Sequence, residues 1–416
     1  MKVTHVCTSF AGGAGLCAKR IIDATAELGV ENKALIAEGA PGVLSEVAVP
    51  SMAWSHNRGL RIAQMALADL GIGPEVFRIE RRIAKERRAT RGYCYFSSPI
   101  TGFKRLAEHP LIQSADIVHL HWVARFVDYE SFFPVVKKPI VWTIHDENPI
   151  LGGFHYSSWK DSAPSSFKRL DDKLMLRKSA AYKKALSMTL VAISNHMNSC
   201  FASSPLLSRF KRVIINNGVD GQEFRPIPMG VAREVLGLPS DRLVFLFSAY
   251  NINEERKGLR ELISALAALN MPSITLICLG EVKELPQAPF EVRCEGLVPS
   301  SRLLSLFYSA ADFFALPSFQ EAFAQTPLEA MSCGCPVVAF PCSGTDSLIN
   351  ESNGVRCQDF TVESLCCGIR SAMARTFDRE VIRRDVLARF SSGVIARQYK
   401  DLYSSILGAT KCDNRQ

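Results

Sequence analysis

Short apolar runs alternate with amphipathic stretches along the whole chain. Val3 to Ser9, Asp116 to His121, Pro139 to His145, Met188 to Ser194 and Val213 to Asn216 read as strands in the first half. Leu243 to Ala249, Ile274 to Gly280, Phe313 to Pro317 and Pro336 to Phe340 do so in the second. Helical periodicity fills many of the intervals, as in Leu259 to Leu269 and Ser301 to Ala311. Apolar strands joined by helical crossovers predict parallel sheets covered on both faces. Turn residues and prolines from Asn217-Gly-Val-Asp220 through Pro226 and Pro228 break the pattern. The expected fold is α/β, with two Rossmann-like domains facing a central cleft: residues 1–216, residues 217–385, and a final segment 386–416 holding an amphipathic helix around Ile395 to Leu407. In such a fold ligands bind beyond the carboxyl ends of the strands.

Composition narrows the class. With 416 residues, 47% of them hydrophobic, the chain can bury two cores of about 200 residues each. Met1-Lys-Val-Thr-His-Val-Cys7 runs straight into a strand without a leader-like pattern, and no apolar run is long enough to span a bilayer. Thirteen scattered cysteines, an odd number, suggest reduced thiols and a cytoplasmic location. Cys333-Gly-Cys335 and Cys366-Cys367 read as packing residues. The net charge of +8 is partly local. Between 58 and 91, Arg58, Arg61, Arg78, Arg81, Arg82, Lys85, Arg87, Arg88 and Arg91 face only Asp69, Glu75, Glu80 and Glu86, beside an apolar stripe of Val76, Ile79 and Ile83. Such an element suits anionic lipid head groups on the inner face of a membrane, and equally an ordinary solvated helix. Nucleic acid is not expected, since no recognition module accompanies the charge.

The densest chemistry lies in Ser318-Phe-Gln-Glu321-Ala-Phe-Ala-Gln-Thr-Pro327-Leu-Glu329. An apolar strand, Phe313 to Pro317, runs into a loop, and Thr326-Pro327 opens a helix expected to begin at Pro327. The unpaired N–H groups of that turn favour an anion, while Glu321 and Glu329 can accept hydrogen bonds from sugar hydroxyls. A capping box between Thr326 and Glu329, with no ligand, explains the spacing equally well. Glu255-Arg256-Lys257-Gly258 follows the first strand of the second half and can neutralise a diphosphate. In the first half, Ala11-Gly-Gly13-Ala-Gly15 follows the first strand and allows close backbone approach, or is only a tight turn. His119-Leu-His121 ends a strand, with both imidazoles on one face and His121 at the tip. His145-Asp146-Glu147 ends another, followed by Gly152-Gly-Phe-His155-Tyr156; His145, Asp146 and His155 also admit a metal reading.

These motifs together resemble the family-4 retaining glycosyltransferases of GT-B fold. The resemblance implies that Glu321 lies by the donor sugar and that the backbone of Ala322, Phe323, Ala324 and Gln325, leading into Thr326, faces it. Glu329 would hold the nucleotide ribose, Arg256 and Lys257 the diphosphate, and Gly13 and Gly15 would border phosphates and acceptor. His121 matches the family's active-site histidine. His145, Asp146 and His155 resemble the acceptor side of bacterial exopolysaccharide and colanic-acid-type enzymes. The implied reaction moves a hexose from a nucleotide sugar, UDP- or GDP-linked, to a saccharide or lipid-linked acceptor. Configuration would be retained, with the leaving phosphate helping to deprotonate the acceptor, and no metal or other cofactor would be needed. Three departures stand out: Ala322-Phe-Ala324 replaces Gly-Phe-Gly, Glu147-Asn-Pro-Ile replaces Met-Trp-Ala-Phe, and Ser343-Gly344-Thr-Asp346 replaces Gly-x-Pro-Glu. Alternatives of the same fold are a phosphorylase or epimerase, and a non-catalytic sugar-nucleotide-binding paralogue.

Overall fold

The computed structural model describes every residue except 40–41, 43–44, 91–93, 285–286, 346 and 414–416. Arg91 and Asp346, singled out above, therefore lie outside the described residues. The chain divides into two compact units, one of Met1–Ile215 with Ala396–Gln416, the other of Asn216–Ile395.

The first unit is built on β1 (Lys2–Cys7), β2 (Glu31–Ile36), β3 (Ser45–Val47), β4 (Ile117–Leu120), β5 (Ile140–Ile144), β6 (Met188–Ala192) and β7 (Lys211–Ile214). Their order is β3-β2-β1-β4-β5-β6-β7, and every neighbouring pair is parallel. β4, β5 and β6 are buried at every position, as strands covered on both faces must be. Strand order reverses between β1 and β4, so the loops leaving these two strands diverge and open the crevice in which such sheets bind ligands. The helix Ser392–Asp413 brings Tyr399 and Tyr403, both fully buried, against β4 and β5.

The second unit has β8 (Leu243–Asn251), β9 (Ile274–Glu281), β10 (Glu291–Gly296), β11 (Phe313–Leu316), β12 (Val337–Ala339) and β13 (Gly354–Arg356). The order β10-β9-β8-β11-β12-β13 is again all parallel, with its reversal between β8 and β11. Phe245, Phe247, Leu262, Leu266, Leu276 and Ile369 form the heart of its core. Each such side chain contributes about 1.5–3 kcal/mol by leaving water.

Three expectations change. β2, β3, β10 and β13 have no counterpart in the apolar pattern: three of them are sheet edges with polar residues, and β2 starts with Glu31-Asn-Lys. Cys367 is exposed, so it is not a packing residue, whereas burial pushes the Cys333, Cys335, Cys342 and Cys357 thiols up to about 12. The basic segment forms two helices, Arg58–Asp69 and Glu75–Ala89, and Val76, Ile79 and Ile83 pack into the protein's own core. That stripe is not available to lipid. No helix of the described residues is long and apolar enough to cross a membrane.

Candidate functional site

The divergent loops of the second sheet carry the cations and carboxylates. A single 3₁₀ turn, Glu255–Lys257, follows β8 and ends at Gly258. Gly258 has φ +74°, and a Cβ there would stand 2.0 Å from the Pro317 carbonyl oxygen, so glycine is needed for both conformation and packing. The amide of Phe319 donates to the Arg256 carbonyl at 2.9 Å, which fixes the loop after β11 to the loop after β8. Lys257 Nζ then lies 2.6 Å from Glu321 Oε1, and an Arg256 guanidinium nitrogen 3.6 Å from Glu321 Oε2. Arg256 also donates to Glu254 Oε1 at 2.9 Å and to the carbonyl of Gln320. Burial would raise the Glu321 carboxyl, but the Lys257 and Arg256 cations outweigh it and hold the group below its ordinary range, ionised at neutral pH.

The helix at the end of this loop spans Thr326–Ser332, one residue earlier than expected. Thr326 is therefore its first helical residue, with Gln325 as N-cap and no side-chain cap hydrogen bond. The capping-box arrangement is not formed. Glu329, buried, instead accepts from Tyr308 Oη at 3.1 Å. Ala322, Phe323 and Ala324 are buried too, and neither alanine is among the described non-glycine residues of positive φ, which are Arg125 and Asn270. The loop thus tolerates alanine where the family pattern has glycine. Gly344, which carried no role in the sequence reading, is what this loop rests on: a Cβ there would meet the Glu321 carbonyl oxygen at 2.4 Å and the Ala322 carbonyl carbon at 2.9 Å.

In the first unit the strand ends converge on histidines. His121 follows β4 and its Nε2 is 2.9 Å from His5 Nδ1, while His5 Nε2 is 3.1 Å from Asn32 Oδ1. His119 bonds Tyr403 Oη at 2.7 Å and Thr143 Oγ1 at 2.8 Å. Burial pulls His5 down to about 4 and drives His119 and His121 well below 6.5, so the cluster is neutral. Nitrogens of His5, His119 and His121 lie within 4.8 Å of one another, close enough for a shared cation, yet both His119 nitrogens and the facing nitrogens of the other pair are engaged in hydrogen bonds.

The predicted acceptor-side residues do come together. A cavity of about 10 Å³ is lined by His121, His145, Asp146 and His155, among others. Asp146 Oδ2 accepts from His155 Nδ1 at 2.6 Å and Trp122 Nε1 at 2.8 Å, and His155 Nε2 pairs with Ser97 Oγ at 2.8 Å. Burial raises the Asp146 carboxyl, but His155 and these donors overcome it and keep it low. With both His155 nitrogens occupied, this trio is arranged as a hydrogen-bond chain and not as a cation's ligands. Lys178, fully buried, spends its three protons on Asn148 O at 2.6 Å, Asn148 Oδ1 at 3.0 Å and Leu151 O at 2.9 Å, which fixes the loop carrying these groups. Gly152 and Gly153 serve that loop sterically, since Cβ atoms there would reach the Asp171 carbonyl oxygen at 1.7 Å and the Phe96 ring at 2.3 Å.

In the glycine turn after β1, close packing demands glycine at one of the two candidate positions. A Cβ at Gly15 would stand 2.3 Å from the Ser9 carbonyl oxygen, so the helix Gly12–Glu27 needs glycine to pack on the turn, whereas Gly13 faces open space. His5, Asn32 and Arg125 went unnoticed in the sequence. The first two lie within strands, and Arg125, exposed in the loop after His121, is the one of the three with a left-handed backbone, at φ +62°.

The sequence model of the family described as Glycosyl transferases group 1 matches residues 242–375, from the start of β8 past the Glu321–Glu329 loop. The second unit is a group 1 glycosyltransferase domain. The glycosyltransferase is 26% identical over 339 residues to GDP-mannose:cellobiosyl-diphosphopolyprenol alpha-mannosyltransferase of Xanthomonas campestris, a match covering 74% of this chain and 81% of that one. It is 31% identical over 151 residues to D-inositol 3-phosphate glycosyltransferase of Mycobacterium tuberculosis, 33% of this chain and 31% of the relative. Its fold matches Anabaena HepE in complex with UDP and glucose, with a TM-score of 0.66 at 17% identity over 97% of this chain and 100% of HepE. The fold is that of GT-B glycosyltransferases.

Proposed function

We propose that the protein is a retaining, nucleotide-sugar-dependent hexosyltransferase that builds a glycan on a lipid-linked or saccharide acceptor. The observation that carries this reading is the pairing of Lys257 and Arg256 with Glu321 at the divergent loops of the second sheet. Two cations of fixed geometry are held ready by a carboxylate that a sugar hydroxyl and a diphosphate can jointly replace as partner. Arg256 and Lys257 then take the charge that develops on the departing diphosphate, aided by the amides opening the helix at Thr326. Glu321, ionised, accepts from a donor-sugar hydroxyl, and Glu329, held by Tyr308, accepts from the ribose. Gly13 and Gly15 border the phosphates and the acceptor, and the amides from Ala322 to Gln325 border the sugar. His121 orients the sugar and the reacting hydroxyl, with His145, Asp146 and His155 on the acceptor side. The relatives' names favour a GDP- or UDP-sugar and a polyprenol diphosphate-linked acceptor.

Contact with an anionic membrane surface belongs to the same reading, through other residues than the stripe expected. Leu60, Ile62, Leu67, Leu70 and Ile72 are exposed on and just beyond the helix Arg58–Asp69, beside a groove of about 780 Å³ in which five cations, Arg78, Arg81, Arg82, Lys85 and Arg88, outnumber the carboxylates of Asp69 and Glu86. Apolar insertion flanked by cations is the pattern of interfacial helices. The function is tested by incubating the protein with UDP- and GDP-hexoses and a polyprenol diphosphate-linked saccharide, then reading the product's anomeric configuration by NMR. Acceptor-dependent transfer with retention is expected. Turnover without a saccharide acceptor would point to a phosphorylase or epimerase, and binding without turnover to a non-catalytic paralogue.

A further inference from the structure

The hydrogen-bond chain behind His121 has a direction that can be read from fixed acceptors. Thr25 Oγ1 donates to the Ile21 carbonyl at 2.7 Å, so it can accept from Asn32 Nδ2 at 2.8 Å. The same Asn32 nitrogen lies 2.8 Å from the Ile22 carbonyl, which has no proton to give, and this identifies it as the amide nitrogen. Asn32 Oδ1 therefore faces His5 Nε2 at 3.1 Å and can only accept. His5 Nε2 must carry the proton. A neutral imidazole has one, so His5 Nδ1 is bare and accepts from His121 Nε2 at 2.9 Å. By the same count His121 Nδ1 is bare, and that buried atom has no hydrogen-bond partner among the described residues.

We propose that His5 and Asn32 are positioning residues that lock His121 in the Nε2–H form, so that its Nδ1 is presented as an obligate acceptor to a hydroxyl of the sugar or of the acceptor. The proposal rests on the reading that His121 lies at the reacting sugar. The rest of the cluster is closed: His119 uses both nitrogens on Tyr403 and Thr143, and its ring centroid lies 4.1 Å from that of His121. His121 and His145, whose own Nε2 is also without a partner among the described residues, both line the 10 Å³ cavity, room for about one water-sized group. Because burial keeps His121 well below its ordinary value, it accepts a hydrogen bond without retaining the proton. It thus orients a hydroxyl and leaves proton removal to a stronger base, in keeping with the departing phosphate.

The experiment is nitrogen NMR of protein labelled with ¹⁵N-histidine, with His121 assigned through His121→Gln, beside kinetics of His5→Phe and His5→Asn. The expected spectrum has pyrrole-type Nε2 and pyridine-type Nδ1 at His121. His5→Phe removes the acceptor and should shift His121 toward the other tautomer, lowering kcat about 10- to 100-fold, the loss of one hydrogen bond at the sugar, with nucleotide diphosphate affinity unchanged. His5→Asn, which keeps an acceptor near the Nδ1 position, should restore both tautomer and rate. A wild-type His121 protonated at Nδ1 would overturn the proposal even if His5→Phe fails to fold. So would a folded His5→Phe with unaltered tautomer and kcat, or zinc addition shifting the nitrogens of His5, His119 and His121 together, which would mark a cation site. If no nucleotide sugar binds at all, the functional reading fails while the tautomer result stands by itself.

Discussion

Replacing Lys257 by Met isolates the ion pair on which the donor-site reading turns. The Glu321 side chain is 8% exposed and that of Lys257 20%, at 2.6 Å. Removing one partner of a buried pair typically costs about 3–5 kcal/mol, because the other charge is left without compensation. Here Arg256 stays 3.6 Å from the second carboxylate oxygen, and Lys257 keeps some water. We therefore expect Lys257→Met to cost about 2 kcal/mol, and Glu321→Gln about 1 kcal/mol because the amide still accepts a hydrogen bond. The double variant should cost less than the sum by about 1 kcal/mol or more. Denaturant midpoints of the four proteins give the cycle. Calorimetry on the same samples should show nucleotide diphosphate affinity falling about 10- to 100-fold in Lys257→Met, the loss of one charge-assisted contact. Additive stabilities, with Lys257→Met costing under about 0.5 kcal/mol, would refute the claim that the two groups hold each other in place.

Other consequences follow from single positions. Gly344→Ala forces a Cβ to within 2.4 Å of the Glu321 carbonyl oxygen, so the loop must shift; donor affinity should drop at least 10-fold while the cooperative unfolding transition persists, and an unchanged affinity would detach this glycine from the site. Acid should destabilise the protein from the histidine side. His5 and His145 titrate at about 4 when folded against 6.5 unfolded, so the unfolded chain takes up protons first as pH falls below 6.5. Stability is complete above that value and lost down to about 4, by roughly 2 kcal/mol per histidine between pH 7.5 and 5. Denaturant midpoints that do not move over this range would contradict the buried neutral cluster. Leu67→Glu/Leu70→Glu should abolish sedimentation with vesicles rich in anionic phospholipid and leave transfer to a soluble acceptor intact, whereas equal sedimentation would remove that helix from membrane contact.

Much of this was legible in the sequence because apolar strand cores announce themselves. β5, β6, β8, β9, β11 and β12 fall where the apolar runs lie, and Glu321, Lys257 and Arg256 meet because they follow strands β8 and β11 on either side of the order reversal. Edge strands such as β3, β10 and β13 were illegible, since short polar segments gain their structure from a neighbour and not from their own pattern. The apolar stripe Val76, Ile79 and Ile83 was visible, but which surface it covers depends on Phe96, Phe154 and Trp54 arriving from elsewhere in the chain. Asn32 and His5 were unreadable for the same reason. Their meaning comes from pairing across β1, β2 and β4, which places residues 5, 32 and 121 in one line of hydrogen bonds. Gly344 became informative only once the Glu321 carbonyl was seen against it.

The most direct test of the donor site is calorimetric titration with UDP, GDP and ADP and their hexose conjugates, comparing the native protein with Glu329→Ala and with Arg256→Ala/Lys257→Ala. The account predicts selective binding of one nucleotide sugar, weakened in Glu329→Ala and lost in the double variant. Folded protein that binds none of them, or binds one equally well after these substitutions, would contradict it.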